Sequence, residues 1–345
     1  LFHVDLRGSY ADMGRQQGLI LRQAGFGLPP PEPLCPSGTG QAKMLRFARR
    51  CEELVARHAP ELVEEMHALA EAAEVDYDAL MTLTLTVPFD PDDVPACTVV
   101  AVLPERTVDG RTIAGRNYDF FHDVSEGSAT LYRAYPVGAH GRAPLHASAG
   151  VSDIWIGRDD GLNDAGLFVG IASIFMPGLQ PGLTFWLVTR LVLDRCATVE
   201  EGLDLILSLP HAGSWTYLLA DASGKAAVVE PGTDGVEVRY PQDGLLIMTN
   251  HPLCPRWADK ASFVPPDSHP RYDRLRALLG GKAPVDLEMV KAALRDHEGL
   301  VCSHGAHFPN RRFGTLWSVA AKPGDRSIDV AAGYPCQNRY ETVAF

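Results

Sequence analysis

At 345 residues the chain exceeds a typical single domain, yet single large sandwiches reach this length, so one compact body with an added segment is expected. A hydrophobic share of 46% against 21% charged residues, with all five tryptophans beyond position 150, excludes a disordered chain. A net charge of -12 without a run of Lys or Arg argues against nucleic acid as a partner, and apolar stretches as short and interrupted as 183–192 argue against a helical membrane span.

The chain opens without a charged leader followed by an apolar core, so a cytoplasmic location is expected; residue 1 is Leu, which leaves a removed export signal open. Residues 8–18 are glycine-rich and polar. Prolines and glycines over 26–40 block both helix and ladder, so a loop or mobile crossover is expected there. From Met44 onward Leu45, Ala48, Cys51, Leu54 and Val55 recur at helical spacing, and a second helix starts near Pro60 and runs through 61–73. The leading segment, 1–96, is therefore mostly helical.

The texture changes at Pro95. Residues 97–103 form a β-prone run, Asp109-Gly110 is a turn pair, and 111–117 can return as the partner strand, so a hairpin begins at Cys97. Two more hairpins are expected, 217–220 with 226–230 and 236–240 with 245–248. Thr198 and Glu201 form a capping box before apolar 203–207, and further helices are expected over 270–280 and 287–295. Runs of strands and runs of helices, rather than strict alternation, favour helix layered on antiparallel sheet.

The first hairpin places Cys97, Arg116 and Asp119 at one strand end. Arg116 is expected to lower the Cys97 pKa and favour the thiolate, and Asp119 to orient an ammonium or hydrogen-bond donor beside the sulfur. On these residues alone, a surface salt bridge beside a buried cysteine explains the pattern equally well. The seven cysteines (Cys35, Cys51, Cys97, Cys196, Cys254, Cys302 and Cys336) are odd in number and widely spaced, so at least one thiol lacks an internal partner.

The tripeptide ACT at 96–98 followed by GRNYDF at 115–120 resembles the start of mature chains in the choloylglycine hydrolase and isopenicillin-N acyltransferase group of N-terminal nucleophile hydrolases. GLNDAGL (161–167), LLADASGKAAVVE (218–230), MTNHP (248–252), SHPRYDRL (268–275) and GTLWSV (314–319) match in order, and GSYADMGRQQG (8–18) and AAGYPC (331–336) resemble the opening and tail of the acyltransferase branch. The resemblance implies an α+β fold, a four-layered αββα sandwich of antiparallel sheets. It implies self-cleavage between Ala96 and Cys97, with 1–96 as a helical propeptide or α-chain that stays as a partner, and 97–345 as the catalytic β-chain.

By the same resemblance Cys97 is the nucleophile, Arg116 flanks it, Asp119 orients the freed amine and Asn250 donates to the oxyanion. Arg271 is a further active-site arginine, with Arg274 one turn away as the alternative. A terminal amine titrates near about pH 8, so it can take the thiol proton without a histidine. Where many bile-salt hydrolase relatives carry a second oxyanion asparagine, this chain has Ala172 and Ser173; a backbone amide or the Ser173 hydroxyl can substitute as oxyanion donor or pocket group, and the mismatch favours the acyltransferase branch. The implied substrate is a small acyl amide or acyl-coenzyme A, and hydrolysis and transfer share the first half-reaction. No cofactor is implied, and the oligomeric state is left open.

Tyr118, Phe120, Phe121, Trp155, Phe175 and Trp186 can line an acyl pocket, though core packing is the commoner fate of aromatics. Cys302, His304 and His307, with His297 and His251, suggest a zinc site; their spacing fits no established pattern and Gly305 opposes a shared helix face, so no metal is expected. Gly150-Val-Ser152-Asp-Ile154 lacks the second glycine of a nucleophile elbow, and Gly38-Thr-Gly40 near Lys43 follows no strand, so neither a serine hydrolase nor a phosphate cradle is implied. The rival from another class is a non-catalytic small-ligand-binding protein, uncleaved and with an inert Cys97.

Overall fold

The computed structural model describes residues 1–25, 38–86, 96–125, 128–138, 144–178, 180–213, 215–232, 235–305 and 312–345. Most of the loop expected over 26–40, together with Cys35, Pro95 and His307, lies outside the described residues.

The chain begins with strand β1 (Phe2–Gly8) and four helices, α1 (Tyr10–Gln23), α2 (Gly38–His58), α3 (Pro60–Ala73) and α4 (Tyr77–Leu85). Residues 8–18, for which composition alone gave no secondary structure, are the end of β1 and most of α1. Ser9 and Asp12 cap that helix reciprocally: the Asp12 amide donates to Ser9 Oγ at 3.2 Å and the Ser9 amide donates to Asp12 Oδ2 at 3.0 Å. Gly14 and Gly18 serve packing, because a Cβ on them would stand 2.3 Å from the Glu65 carbonyl and 2.5 Å from that of Leu69 on α3.

A hairpin follows, β2 (Ala96–Val102) with β3 (Ile113–Phe121), then the short α5 (His122–Ser125), a meander of β4 (Thr130–Pro136), β5 (Ser148–Ser152), β6 (Asp160–Asn163) and β7 (Leu167–Ser173), and helices α6 (Phe185–Arg195) and α7 (Val199–Ser208). The remaining elements are β8 (Trp215–Asp221), β9 (Ala226–Gly232), β10 (Gly235–Arg239), β11 (Leu245–Met248), α8 (Ser268–Leu279), α9 (Leu287–Leu294), β12 (Phe313–Ala321), β13 (Ser327–Ala332) and β14 (Glu341–Ala344).

Two sheets stack. One runs β1-β4-β5-β6-β7-β8-β9-β10 and the other β11-β2-β3-β12-β13-β14. One apolar cluster joins α1, α3, α4, α6 and α7 to the first sheet, a second lies between the sheets, and a third joins α8 and α9 to the second sheet. The layers are therefore αββα. Among the described residues no helix is long and apolar enough to cross a membrane.

Two expectations change. The sheets are antiparallel except at one edge, where β1 pairs with β4 in parallel, Phe2 opposite Thr130; the helices and hairpin between them supply the long crossover that a parallel pair needs. Strands β10 and β11 do not form a hairpin. β10 edges the first sheet against β9 and β11 edges the second against β2, with Asp243 and Gly244 at positive φ where the chain passes between sheets. An Asp-Gly pair turns the chain equally well in both arrangements.

Candidate active site

In the β2–β3 ladder Cys97 stands opposite Tyr118 and Val99 opposite Arg116, so Cys97 and Arg116 share the face between the sheets. Arg116 is fully buried and held at each nitrogen. Its Nη2 donates to Cys97 Sγ at 3.3 Å, Nε donates to the Ile171 carbonyl at 3.0 Å, and Nη1 donates to Asp160 Oδ2 at 2.6 Å. Asp160 also accepts from Trp317 Nε1 at 2.8 Å and from the Val151 amide at 3.1 Å, which satisfies a buried carboxylate. Gly170 makes room: a Cβ there would stand 3.0 Å from Val99 Cγ1 and 3.3 Å from Arg116 Cδ.

The backbone on both sides of Cys97 is gripped. Its amide donates to Asn250 Oδ1 at 2.7 Å, while Arg271 Nη1 donates to its carbonyl and, at 3.0 Å, to Thr98 Oγ1. Arg271 Nη2 donates to Asn250 Oδ1 at 2.8 Å and to Asp267 Oδ1 at 3.2 Å. Asn250 Nδ2 donates to the Ser173 carbonyl at 3.1 Å and to Ser173 Oγ at 2.9 Å, and the Asn250 amide donates to Ser268 Oγ at 2.9 Å. The orientation of the Asn250 side chain is fixed chemically, since two donors face its oxygen and a carbonyl faces its nitrogen.

Arg271 and Arg274, alike in sequence, part company here. Arg271 reaches the Cys97 peptide, and Arg274 pairs with Asp296 at 2.7 Å and Glu298 at 2.8 Å on the outer side of α8.

Asp119 lies on the opposite face of β3 from Arg116, across from Ala96. Its Oδ1 accepts from Thr315 Oγ1 at 2.6 Å, whereas its buried Oδ2 has no hydrogen-bond partner among the described residues. A bulge in β12 between Thr315 and Trp317 sets this up, turning Thr315 to Asp119 and Trp317 to the inter-sheet face. In the uncut chain it is therefore Asn250, not Asp119, that meets the Cys97 nitrogen. Burial pushes Asp119 up to about 7 against the pull of Arg271.

The expected thiolate is not favoured in the intact chain. Burial pushes the Cys97 thiol up to about 11, and the opposing pull of Arg116 is too small to reverse that. The six described cysteines carry no disulfide.

The pocket expectations also shift. Tyr118 stacks on Trp317 at 4.1 Å and donates to Asp153 Oδ2 at 2.9 Å; Phe120 packs edge-on against Phe121 at 5.5 Å; the Ala172 methyl sits in the inter-sheet core. All three are packed side chains. Sequence reasoning missed Asp160, Ser268, Thr315 and Trp317. Asp160 had a faint signal as an acidic residue at the start of a strand, but nothing local distinguishes it from Asp159.

A family model described as acyl-coenzyme A:6-aminopenicillanic acid acyl-transferase matches residues 106–337. A protein of Archaeoglobus fulgidus described as uncharacterized is 23% identical over 84% of this chain, which spans 56% of that relative's length. Among solved structures, penicillin V acylase from Agrobacterium tumefaciens superposes with a TM-score of 0.50 at 20% identity, covering 68% of this chain and 83% of the other. Conjugated bile acid hydrolase from Clostridium perfringens, as a mutant, gives 0.49 at 15% identity over 72% of this chain and 97% of the other.

Proposed function

We propose, for a chain that belongs to the acyl-coenzyme A:6-aminopenicillanic acid acyl-transferase family, that it is a self-processing enzyme whose Cys97, once it heads a new chain, carries an acyl group as a thioester. The observation that carries this is the double grip on the Cys97 peptide, with Arg116 on its sulfur, Asn250 on its amide and Arg271 on its carbonyl.

Maturation starts with attack of Cys97 Sγ on the Ala96 carbonyl carbon. The C–N bond of the tetrahedral intermediate breaks, the nitrogen takes the thiol proton, and water hydrolyses the resulting Ala96 thioester to a carboxylate. The nitrogen that was an amide becomes an amine with a pKa near about 8, able to serve as general base. Asp119 Oδ2, without a hydrogen-bond partner among the described residues, is then supplied with a cationic neighbour, the new ammonium group.

Turnover repeats the chemistry on a small acyl amide or an acyl-coenzyme A thioester. The sulfur attacks the substrate carbonyl, the amine relays the proton to the leaving group, and water or an acceptor amine takes the acyl group from the thioester. Asn250 Nδ2 stabilises the oxyanion once Ser173 Oγ yields its place. Segment 1–96 stays bound as the α-chain, since β1 belongs to the first sheet and α1 and α3 to its helical layer.

The test is to mix the protein with a slowly released acyl donor, quench in acid and map the acyl group. An acyl-thioester on the peptide beginning at Cys97 is expected. Acyl transfer that persists at full rate in Cys97→Ala would overturn the proposal, and equal labelling of all cysteines by an electrophilic probe would favour a non-catalytic binding protein.

A further inference from the structure

Away from Cys97, four metal-ligand side chains converge near the end of the chain. His297, Cys302 and His304 lie between α9 and β12, and Cys336 lies between β13 and β14. One ligand atom from each, a ring nitrogen or a sulfur, falls within 4.8 Å of all the others. His304 Nε2 stands 3.3 Å from Cys336 Sγ and 3.7 Å from Cys302 Sγ, and the His297 and His304 rings are 4.9 Å apart. A tetrahedral zinc ion with Zn–S of about 2.3 Å and Zn–N of about 2.0 Å sets its ligand atoms about 3.3–3.8 Å apart. Small side-chain rotations therefore close the set.

The backbone around these residues is held independently of any ion. The Cys302 amide donates to the Asp296 carbonyl at 2.8 Å, and the Asp296 carboxylate takes a two-pronged bond from Arg274 at 2.8 and 2.7 Å. Arg295 Nε donates to the Pro335 carbonyl at 3.0 Å, next to Cys336, and the His304 ring lies flat on Tyr334 at 4.1 Å. Ligands on a fixed backbone are what a specific metal site requires.

We infer that His297, Cys302, His304 and Cys336 bind one zinc ion as a structural centre. Two thiolates and two imidazoles match the ligand preference of zinc, and four protein ligands close the coordination sphere, which is the structural rather than the catalytic form. The centre braces the Cys97 site from behind. Ser303, between two of the ligands, exchanges bonds with Thr315: its amide donates to Thr315 Oγ1 at 3.0 Å and its carbonyl accepts from the Thr315 amide at 3.0 Å. Thr315 in turn holds Asp119 at 2.6 Å. The sequence grouped His297, Cys302 and His304 but set a metal aside on their spacing; the fourth ligand, Cys336, arrives from the tail, while His251 is not part of the cluster.

The inference is independent of the chemistry of Cys97. The full chain, produced in zinc-supplemented medium and dialysed against metal-free buffer, is assayed for zinc, and a cobalt-exchanged sample is examined for the visible thiolate-to-cobalt band of a tetrahedral site. About one zinc per chain is expected, retained in His3→Ala and lost in Cys302→Ser/Cys336→Ser. Zinc-free wild type without a cobalt–thiolate band, a Cys302–Cys336 disulfide in the peptide map, or zinc that survives the double substitution would overturn it. If the double variant does not fold, the cobalt spectrum of the wild type decides alone.

Discussion

At the residue scale, Arg116 both donates to the Cys97 sulfur and forms one half of a buried ion pair with Asp160. Removing one member of such a pair strands the other charge in a low-dielectric interior. Arg116→Leu is therefore expected to lose about 3–5 kcal/mol of stability in urea denaturation, apart from its effect on Cys97; a loss within error would mean that water reaches Asp160. Asn250 is the better probe of chemistry. Asn250→Ala is expected to lower kcat by about 10²–10³-fold in already cleaved enzyme, as the loss of an oxyanion donor does, with KM much less affected. The sequence could nominate Cys97, Arg116, Asn250 and Arg271 because each sits in a short motif. It named Arg271 with Arg274 as the alternative, because only the packing of α8 decides which of them faces the sheet, and it could not foresee that burial outweighs Arg116 at the Cys97 thiol.

At the element scale, the site is a product of one hairpin, one bulge and one helix. The β2–β3 register aligns Cys97 with Arg116, the β12 bulge delivers Thr315 and Trp317 to opposite faces, and α8 brings Arg271. Helix α3 and strand β11 were legible to the residue, because a proline start and a bounded apolar run are local signals. The bulge and the separation of β10 from β11 depend on distant strands and leave no local mark. The helical layer carries its own titratable device. Glu65 on α3 is fully buried 3.6 Å from Arg190, while Arg190 donates to Asp194 at 2.7 Å and Tyr10 of α1 donates to Asp194 at 2.7 Å. Burial pushes Glu65 up from 4.5 to about 7, outweighing Arg190, so the folded state binds its proton more tightly than the unfolded chain does. The associated stability is full below about pH 4.5 and is lost as pH rises through 7. The melting temperature of Glu65→Gln is thus expected to fall less than that of wild type between pH 5 and about 8; parallel curves would show that Glu65 is ionised throughout.

At the scale of the whole molecule, the segment before Cys97 is built into the body rather than appended to it. It supplies an edge strand to the first sheet and, through Gly14 and Gly18, two helices packed close enough for backbone contact. A single break at residue 96 leaves those contacts intact, so fragments 1–96 and 97–345 are expected to co-elute in native size exclusion and to separate only in denaturant. The αββα layering was accessible from sequence through the ordered motifs, while the parallel β1–β4 edge and the convergence of Cys336 on Cys302 were not, because each joins residues far apart in the chain. The most direct measurement is the intact mass of the purified protein under denaturing conditions, for wild type and Cys97→Ala. Masses for 1–96 and 97–345 from the wild type, with one uncut chain from the variant, are the expected result. A single uncut chain from both would mean that the Cys97 amine is never exposed, contradicting the self-processing account.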